Sequence, residues 1–182
     1  TVGLIYQGQS GSPYSLVYSG DINGDNGTSN DLIFIPTDAQ VDQMQFLGTD
    51  AYTAEQQRAN LKQWLATTRY VKDHRGEYFE RYGDNLPFES HFDFHFGQKF
   101  GIRTGKYVHA LELTLDIMNV ANLLNKDWGR TFSSGYNSEF ISPITYKGDG
   151  VFQFANPSDM PLKYPSSYYS RWRGQVGLKY TF

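Results

Sequence analysis

The sequence predicts an all-β chain. Its antiparallel strands are of the kind that form a segment of a transmembrane β-barrel, with long outer loops, one of which holds a short helix. Three observations carry this reading. Long segments alternate apolar and polar residues with period two. One connection between them is a tight turn while the others are very long. The composition is also polar and aromatic at once: 14 Tyr, 13 Phe and 3 Trp stand beside a mean hydropathy of -0.55. That combination suits a sheet with one wet face and one apolar face.

Composition also excludes whole classes of chemistry. The 182 residues contain no Cys, which removes disulfides, thiolate metal sites, iron–sulfur clusters and cysteine nucleophiles. A net charge of -3 argues against a broad nucleic-acid surface. No run of about 18 apolar residues occurs, so no transmembrane helix is expected. The chain shows no charged-then-apolar leader and opens directly on a strand-like run, which predicts a piece of a longer polypeptide.

The first extended segment begins at Val2 and is drawn through the Gly11-Ser12-Pro13 turn signal, over residues 2–18. The second covers residues 88–100, with Phe92, Phe94, Phe96 and Phe100 on one face and Glu89, His91, Asp93, His95 and Lys99 on the other. The third covers residues 107–121. There Leu111, Leu113, Leu115 and Ile117 oppose Glu112, Thr114 and Asp116. The fourth covers residues 168–182, where Val176, Leu178, Tyr180 and Phe182 oppose Arg171, Arg173, Gln175 and Lys179. The last three are longer than the usual globular strand of about 5–6 residues. They reach the roughly 9–11 residues of a tilted membrane strand. Phe92, Phe94, Phe96, Leu111, Leu113, Leu115, Leu178 and Tyr180 are expected to face lipid. His91, Asp93, His95, Glu112, Asp116, Arg171, Arg173 and Lys179 are expected to line a hydrated lumen.

The connections alternate sharply in length. A short turn around Arg103-Thr104-Gly105 joins the second and third strands, while residues 19–87 and 122–167 form long loops. Short turns at one end and long loops at the other are the asymmetry of an outer-membrane barrel. Within the first loop, Thr53-Ala54-Glu55-Gln56 is a capping box, and Ala54, Leu61, Trp64 and Leu65 follow at helical spacing. This predicts a helix over residues 54–67.

Three patterns bear on chemistry. The C-terminal run from Gln175 through Gly177 and Tyr180 to Phe182 has aromatics two apart and ends on Phe. It resembles the signal that barrel-assembly machinery recognises on a closing strand, where an unpaired edge offers main-chain hydrogen bonds. Asp21, Asn23, Asp25 and Asp31 offer oxygen ligands in a Gly-rich loop, so they are candidate Ca²⁺ ligands. The loop resembles those of dockerins and EF-hands, yet position twelve from Asp21 is Leu32 and the next residues read as strand. The competing reading is an Asx-rich turn whose side chains bond their own backbone. His91, Asp93, His95, Glu112 and Asp116 form the third pattern, a metal or acid–base candidate, against which stands simple pairing of charges across a wet sheet face. Arg171 and Arg173 could likewise grip an anionic solute. No nucleophile elbow, phosphate loop or HExxH helix occurs, and no enzyme is predicted.

Residues 20–36 (Gly-Asp-Ile-Asn-Gly-Asp, then Asn-Asp-Leu-Ile-Phe-Ile-Pro), 75–100 (Arg-Gly-Glu-Tyr-Phe-Glu-Arg-Tyr-Gly-Asp-Asn-Leu-Pro-Phe, then Phe-Gly-Gln-Lys-Phe) and 113–129 (Leu-Thr-Leu-Asp-Ile-Met-Asn-Val-Ala-Asn-Leu-Leu-Asn-Lys-Asp-Trp-Gly) resemble the C-terminal part of TonB-dependent outer-membrane receptors, most closely the Oar-like group of Bacteroidetes. The resemblance runs in order along nearly the whole chain. It implies a barrel of about 22 strands enclosing a plug, with this chain supplying the last four strands and two outer loops. It further implies location in the outer membrane of a Gram-negative bacterium and import of a nutrient, with energy delivered through TonB by an N-terminal part that precedes this segment. The implied partners are outer-membrane lipid, the remaining barrel and plug, the assembly machinery and an unidentified solute. No family active-site residue maps onto the chain. The alternatives are a secreted β-sandwich that binds glycans through aromatics and Ca²⁺, a passive porin or structural barrel, and a Ca²⁺-dependent adaptor.

Overall fold

The chain is seen in a computed structural model that describes residues 1–133, 140–154, 164–166 and 168–182. Its elements, in chain order, are β1 (Val2–Gln9), β2 (Pro13–Ser19), α1 (Asp38–Gln43), β3 (Gln45–Phe46), α2 (Ala54–Thr67), α3 (Arg69–Asp73), β4 (Asp84–Asn85), β5 (Glu89–Thr104), β6 (Tyr107–Met118), α4 (Val120–Leu124), β7 (Phe132–Ser133), β8 (Phe140–Tyr146), β9 (Val151–Phe154), β10 (Tyr164–Pro165) and β11 (Arg173–Thr181). The chain is mostly β, and its sheets do not close on themselves. It divides into two units, one from residues 1–11, 87–132 and 165–182, the other from 12–86 and 133–164.

The first unit is a four-stranded antiparallel sheet in the order β1-β5-β6-β11. Its register follows from the period-two pattern, because a slip of one residue would put every Phe and Leu on the charged face. Leu4 pairs with Phe94, Phe96 with Leu115, and Leu115 with Val176. The next rows pair Gln98, Leu113 and Leu178, then Phe100, Leu111 and Tyr180. One face is thus almost entirely apolar across all four strands. Thr104 pairs with Tyr107 around the two-residue turn Gly105-Lys106, where Gly105 takes φ +64. Positive φ at the first turn position matches the twist of an antiparallel hairpin. Gln9, Glu89, Met118 and Arg173 all lie at the opposite end of the ladders.

Four strand expectations are corrected in their bounds. The stretch 2–18 is not one strand: it breaks at Ser10 to Ser12, and Pro13, which has no N–H to donate, opens a separate strand. The second strand is longer than residues 88–100, since Gly101, Ile102, Arg103 and Thr104 continue its ladder. The third ends at Met118, because Asn119 adopts φ +54 and turns the chain into α4. The fourth begins only at Arg173.

The second unit is where the long loops prove most structured. Its five-stranded sheet runs β3-β9-β8-β2-β4, with parallel pairing of β2 to β8 and of β3 to β9. Tyr14 through Tyr18 are all buried, so β2 is covered on both faces, unlike the amphipathic strands of the first unit. Leu16 of β2 is fully sealed, as are Ile33, Ile35, Leu61, Leu65, Phe79 and Ile144 of the same unit. Each such side chain contributes about 1.5–3 kcal/mol relative to exposure. The predicted helix is α2, and both halves of its capping box form: Thr53 Oγ1 accepts the Gln56 N–H at 3.2 Å and Gln56 Oε1 accepts the Thr53 N–H at 2.9 Å. Buried Gln57 then fixes the helix in place. Its amide donates to the Leu47 carbonyl at 2.7 Å and accepts the Phe154 N–H at 2.9 Å.

Candidate functional site

The polar face of the four-stranded sheet gathers most of the charged residues singled out from the sequence. His95 sits opposite Asp116, and its Nδ1 lies 2.6 Å from Asp116 Oδ1. Glu112 sits between Lys99 on β5 and Lys179 on β11. Alternating charge across neighbouring strands is the favourable arrangement, since like charges directly opposite would repel. No three or more His, Asp or Glu side chains among the described residues are arranged to hold a metal ion.

At the end of the sheet marked by Gln9 and Glu89, the same face opens into a recess of about 400 Å³. Glu89, His91, Asp93, Asn119, Arg171 and Arg173 are among its walls. Glu89 is buried, and its Oε2 accepts from Gln9 Nε2 at 3.3 Å and from Thr131 Oγ1 at 3.4 Å. The Thr131 hydroxyl is also 3.2 Å from His91 Nε2. Asp93 is drawn away from this group, accepting the Asn119 N–H at 2.8 Å. The Arg173 guanidinium lies 4.7 Å from the centre of the Tyr168 ring, a cation–π contact that leaves its hydrogens usable. A carboxylate, an imidazole, a hydroxyl and two guanidiniums on one wall can hydrogen-bond a polar solute of either sign.

The structure therefore joins His95 with Asp116, brings His91 and Asp93 with Arg171 and Arg173 to one recess, and places Glu112 and Lys179 on a separate row. Glu89, Thr131 and Asn119 are not among the site residues expected from the sequence. Glu89 carries a signal of its own, a carboxylate in phase with His91 and Asp93. Thr131 and Asn119 carry none, since tertiary contact alone brings them in.

The closing strand lies at an edge of the sheet. Gln175 and Gly177 fall on the polar face and Tyr180 on the apolar one. A side chain at Gly177 would press on the Thr114 hydroxyl, which would have to rotate away. The Tyr180 hydroxyl is 2.7 Å from His109 Nδ1, and its ring stacks on Phe182 with centres 5.9 Å apart.

The Asp21 loop is internally bonded. Asp21 accepts the N–H groups of Gly24, Asp25 and Asn26, and Asp31 accepts Ile22 N–H and Asn23 Nδ2. Asp25 accepts Gly27 N–H at 2.6 Å together with the amides of Asn23 and Asn30. These bonds, led by the Gly27 N–H, hold the Asp25 carboxyl below the usual aspartate range. The geometry is that of consecutive Asx turns. Residues 136–164 of the second loop, which the barrel reading expects to help cover or bind a solute, are described over 140–154 and at 164, where they form β8, β9 and the start of β10; the rest lies outside the described residues.

No protein-family profile, curated protein or solved structure matches the chain.

Proposed function

We propose that this chain is the C-terminal segment of a TonB-dependent outer-membrane transporter of the Oar-like kind, supplying the last four strands of its barrel wall and part of its outer loops. The observation that carries the reading is the uncovered apolar face of the four-stranded sheet. Leu4 is 64% exposed, Val176 69% and Leu178 70%, all on the face that also holds Phe94, Phe96 and Leu115. Such a face in water is a large liability; against hydrocarbon it is what a barrel strand requires.

Dimensions support the same reading. From Tyr107 to Ile117 this face of β6, apolar except for His109, spans about 34 Å at about 3.4 Å per residue. A tilt of about 40° reduces that to about 26 Å of height, close to the apolar band of an outer-membrane barrel. The free edges of β1 and β11 support a wall continued by further strands, because unpaired backbone in lipid costs several kcal/mol per group. In this reading the polar face and its recess line the lumen. Lipid, the other strands, the plug, the assembly machinery and TonB are then the partners, and an unidentified nutrient is the cargo.

This chain holds no native Cys, and any Cys elsewhere in the whole receptor is first replaced. Single cysteines are introduced along β6 in the whole receptor and labelled in outer membranes with a polar maleimide. Labelling at residues 112, 114 and 116, with protection at 111, 113 and 115, is the expected result. Uniform labelling, or recovery of the wild-type protein in the soluble fraction, would overturn the proposal.

A further inference from the structure

The Asx-bonded loop that the sequence singled out also walls a second recess, of about 470 Å³, in the unit built from residues 12–86 and 133–164. Its apolar side is made by Tyr18, Ile22, Phe34 and Tyr78, and its polar rim includes Asn30 and Asp31. Phe34 and Tyr78 meet nearly edge to face, at 5.2 Å and 73°, and Tyr78 stays 68% exposed. An exposed ring fixed by its neighbour is a rigid platform.

Three polar groups of the residues lining the recess, the Tyr18 hydroxyl among them, keep unused hydrogen-bonding capacity among the described residues. The Tyr18 hydroxyl accepts the Phe34 N–H at 3.3 Å, and its own proton has no acceptor among the described residues. Burial pushes this phenol's pKa up, so it remains a donor. Each Asp31 oxygen takes one donor, Asn23 Nδ2 at 2.5 Å or Ile22 N–H at 3.0 Å, and a carboxylate oxygen can take a second. Asn30 donates to Asp25, which leaves its carbonyl oxygen free to accept among the described residues.

We propose that this recess is a subsite for a neutral saccharide. A pyranose ring carries an apolar C–H face that stacks on an aromatic face, and a rim of hydroxyls that each donate and accept. The platform and the rim meet both requirements together. No Lys or Arg among the described residues lines the recess, and Asp31 repels anions, so a phosphorylated or carboxylated ligand is disfavoured. A flat apolar ligand fits no better, because it would strip water from Asp31 and Asn30 without replacing their hydrogen bonds. The volume lies within the roughly 300–1,000 Å³ of small-molecule sites. The inference rests on this unit alone and does not depend on the membrane reading of the four-stranded sheet.

The test is saturation-transfer NMR and calorimetry on the whole protein that carries this chain, in a non-glycosidic detergent, with glucan, mannan, galactan and xylan hexasaccharides as probes. At least one probe is expected to show transfer to its ring protons. Tyr78→Ala is expected to weaken that binding tenfold or more. Tyr78→Phe, which keeps the ring, stays within threefold, and Arg171→Ala in the other recess has no effect. Tyr78 is largely exposed, so its replacement leaves the core intact, which the dispersion of the amide spectrum verifies. Absence of transfer with all four probes, or binding unchanged in both Tyr78→Ala and Asn30→Ala, would overturn the proposal. Neither result would alter the labelling pattern along β6.

Discussion

Asn119 and Gly129 are built around each other. The Asn119 amide donates to the Gly129 carbonyl at 2.8 Å, and a side chain added at Gly129 would collide with that same amide. Both residues hold positive φ, +54 at Asn119 and +60 at Gly129. The Asn119 amide also reaches the Ser170 carbonyl at 3.3 Å, so one buried side chain ties the end of β6 to the segment leading into β11. Gly129→Ala meets both a left-handed backbone and a collision, and a loss of about 1–3 kcal/mol is expected. Thermal unfolding measures it. An unchanged midpoint would show that Asn119 does not fill this space.

Leu113 and Glu112 are neighbours in sequence that face opposite ways. Leu113 lies in a row with Gln98 and Leu178, and Glu112 in a row with Lys99 and Lys179. In the proposed barrel wall, Leu113→Arg is expected to impair assembly into the outer membrane, at about 2–4 kcal/mol for a cation at mid-depth on what would be its lipid face. Glu112→Gln is expected to cost under about 1 kcal/mol, the scale of one cross-strand pair. Heat-dependent gel mobility of outer-membrane fractions separates the two. Equal damage would sink the assignment of faces.

The register also shows where reading from sequence stops. Alternation alone makes Glu112→Arg look mild, because the position faces water. With lysines opposite on both neighbouring strands, that substitution would complete a row of three cations. The amphipathic strands β5, β6 and β11 are legible because each carries its facing in its own period of two. The break between β1 and β2 is marked by the Gly11-Ser12-Pro13 turn signal, but the burial of β2 on both faces is not legible, because it depends on parallel pairing with β8, far along the chain. Helix α1 is short enough to escape the periodicity, although Thr37 and Gln40 repeat the capping box of α2. At the recess, Glu89 meets Thr131 across 42 positions, a contact that no local pattern encodes.

The capping box of α2 gives a local test of the second unit. Thr53→Ala removes the acceptor for the Gln56 N–H and should destabilise the unit by about 1 kcal/mol. Gln57→Leu should cost more, because it leaves the Phe154 N–H unpaired in a buried place and leaves the Leu47 carbonyl only its 3.5 Å bond from Gln153 Nε2. Amide hydrogen exchange across α2 and β9 reads both. If Gln57→Leu protected these amides as well as the wild type does, the side chain would not be what joins the helix to the strand.

Asp25 supplies a pH dependence whose sign is fixed by its partners. The Gly27 N–H, the Asn23 amide and the Asn30 amide all favour the ionised carboxyl, so its folded pKa lies below the unfolded value. The stabilisation it gives is therefore complete above the unfolded pKa and disappears as pH falls through the folded one. The side chain is fully exposed, which keeps the effect local to the loop. Carboxyl-carbon NMR should show Asp25 titrating below the ordinary value of about 3.9. Asn30→Ala, which removes one donor, should move the midpoint upward. An ordinary midpoint in the wild-type chain, unmoved by Asn30→Ala, would mean that these bonds do not persist in solution.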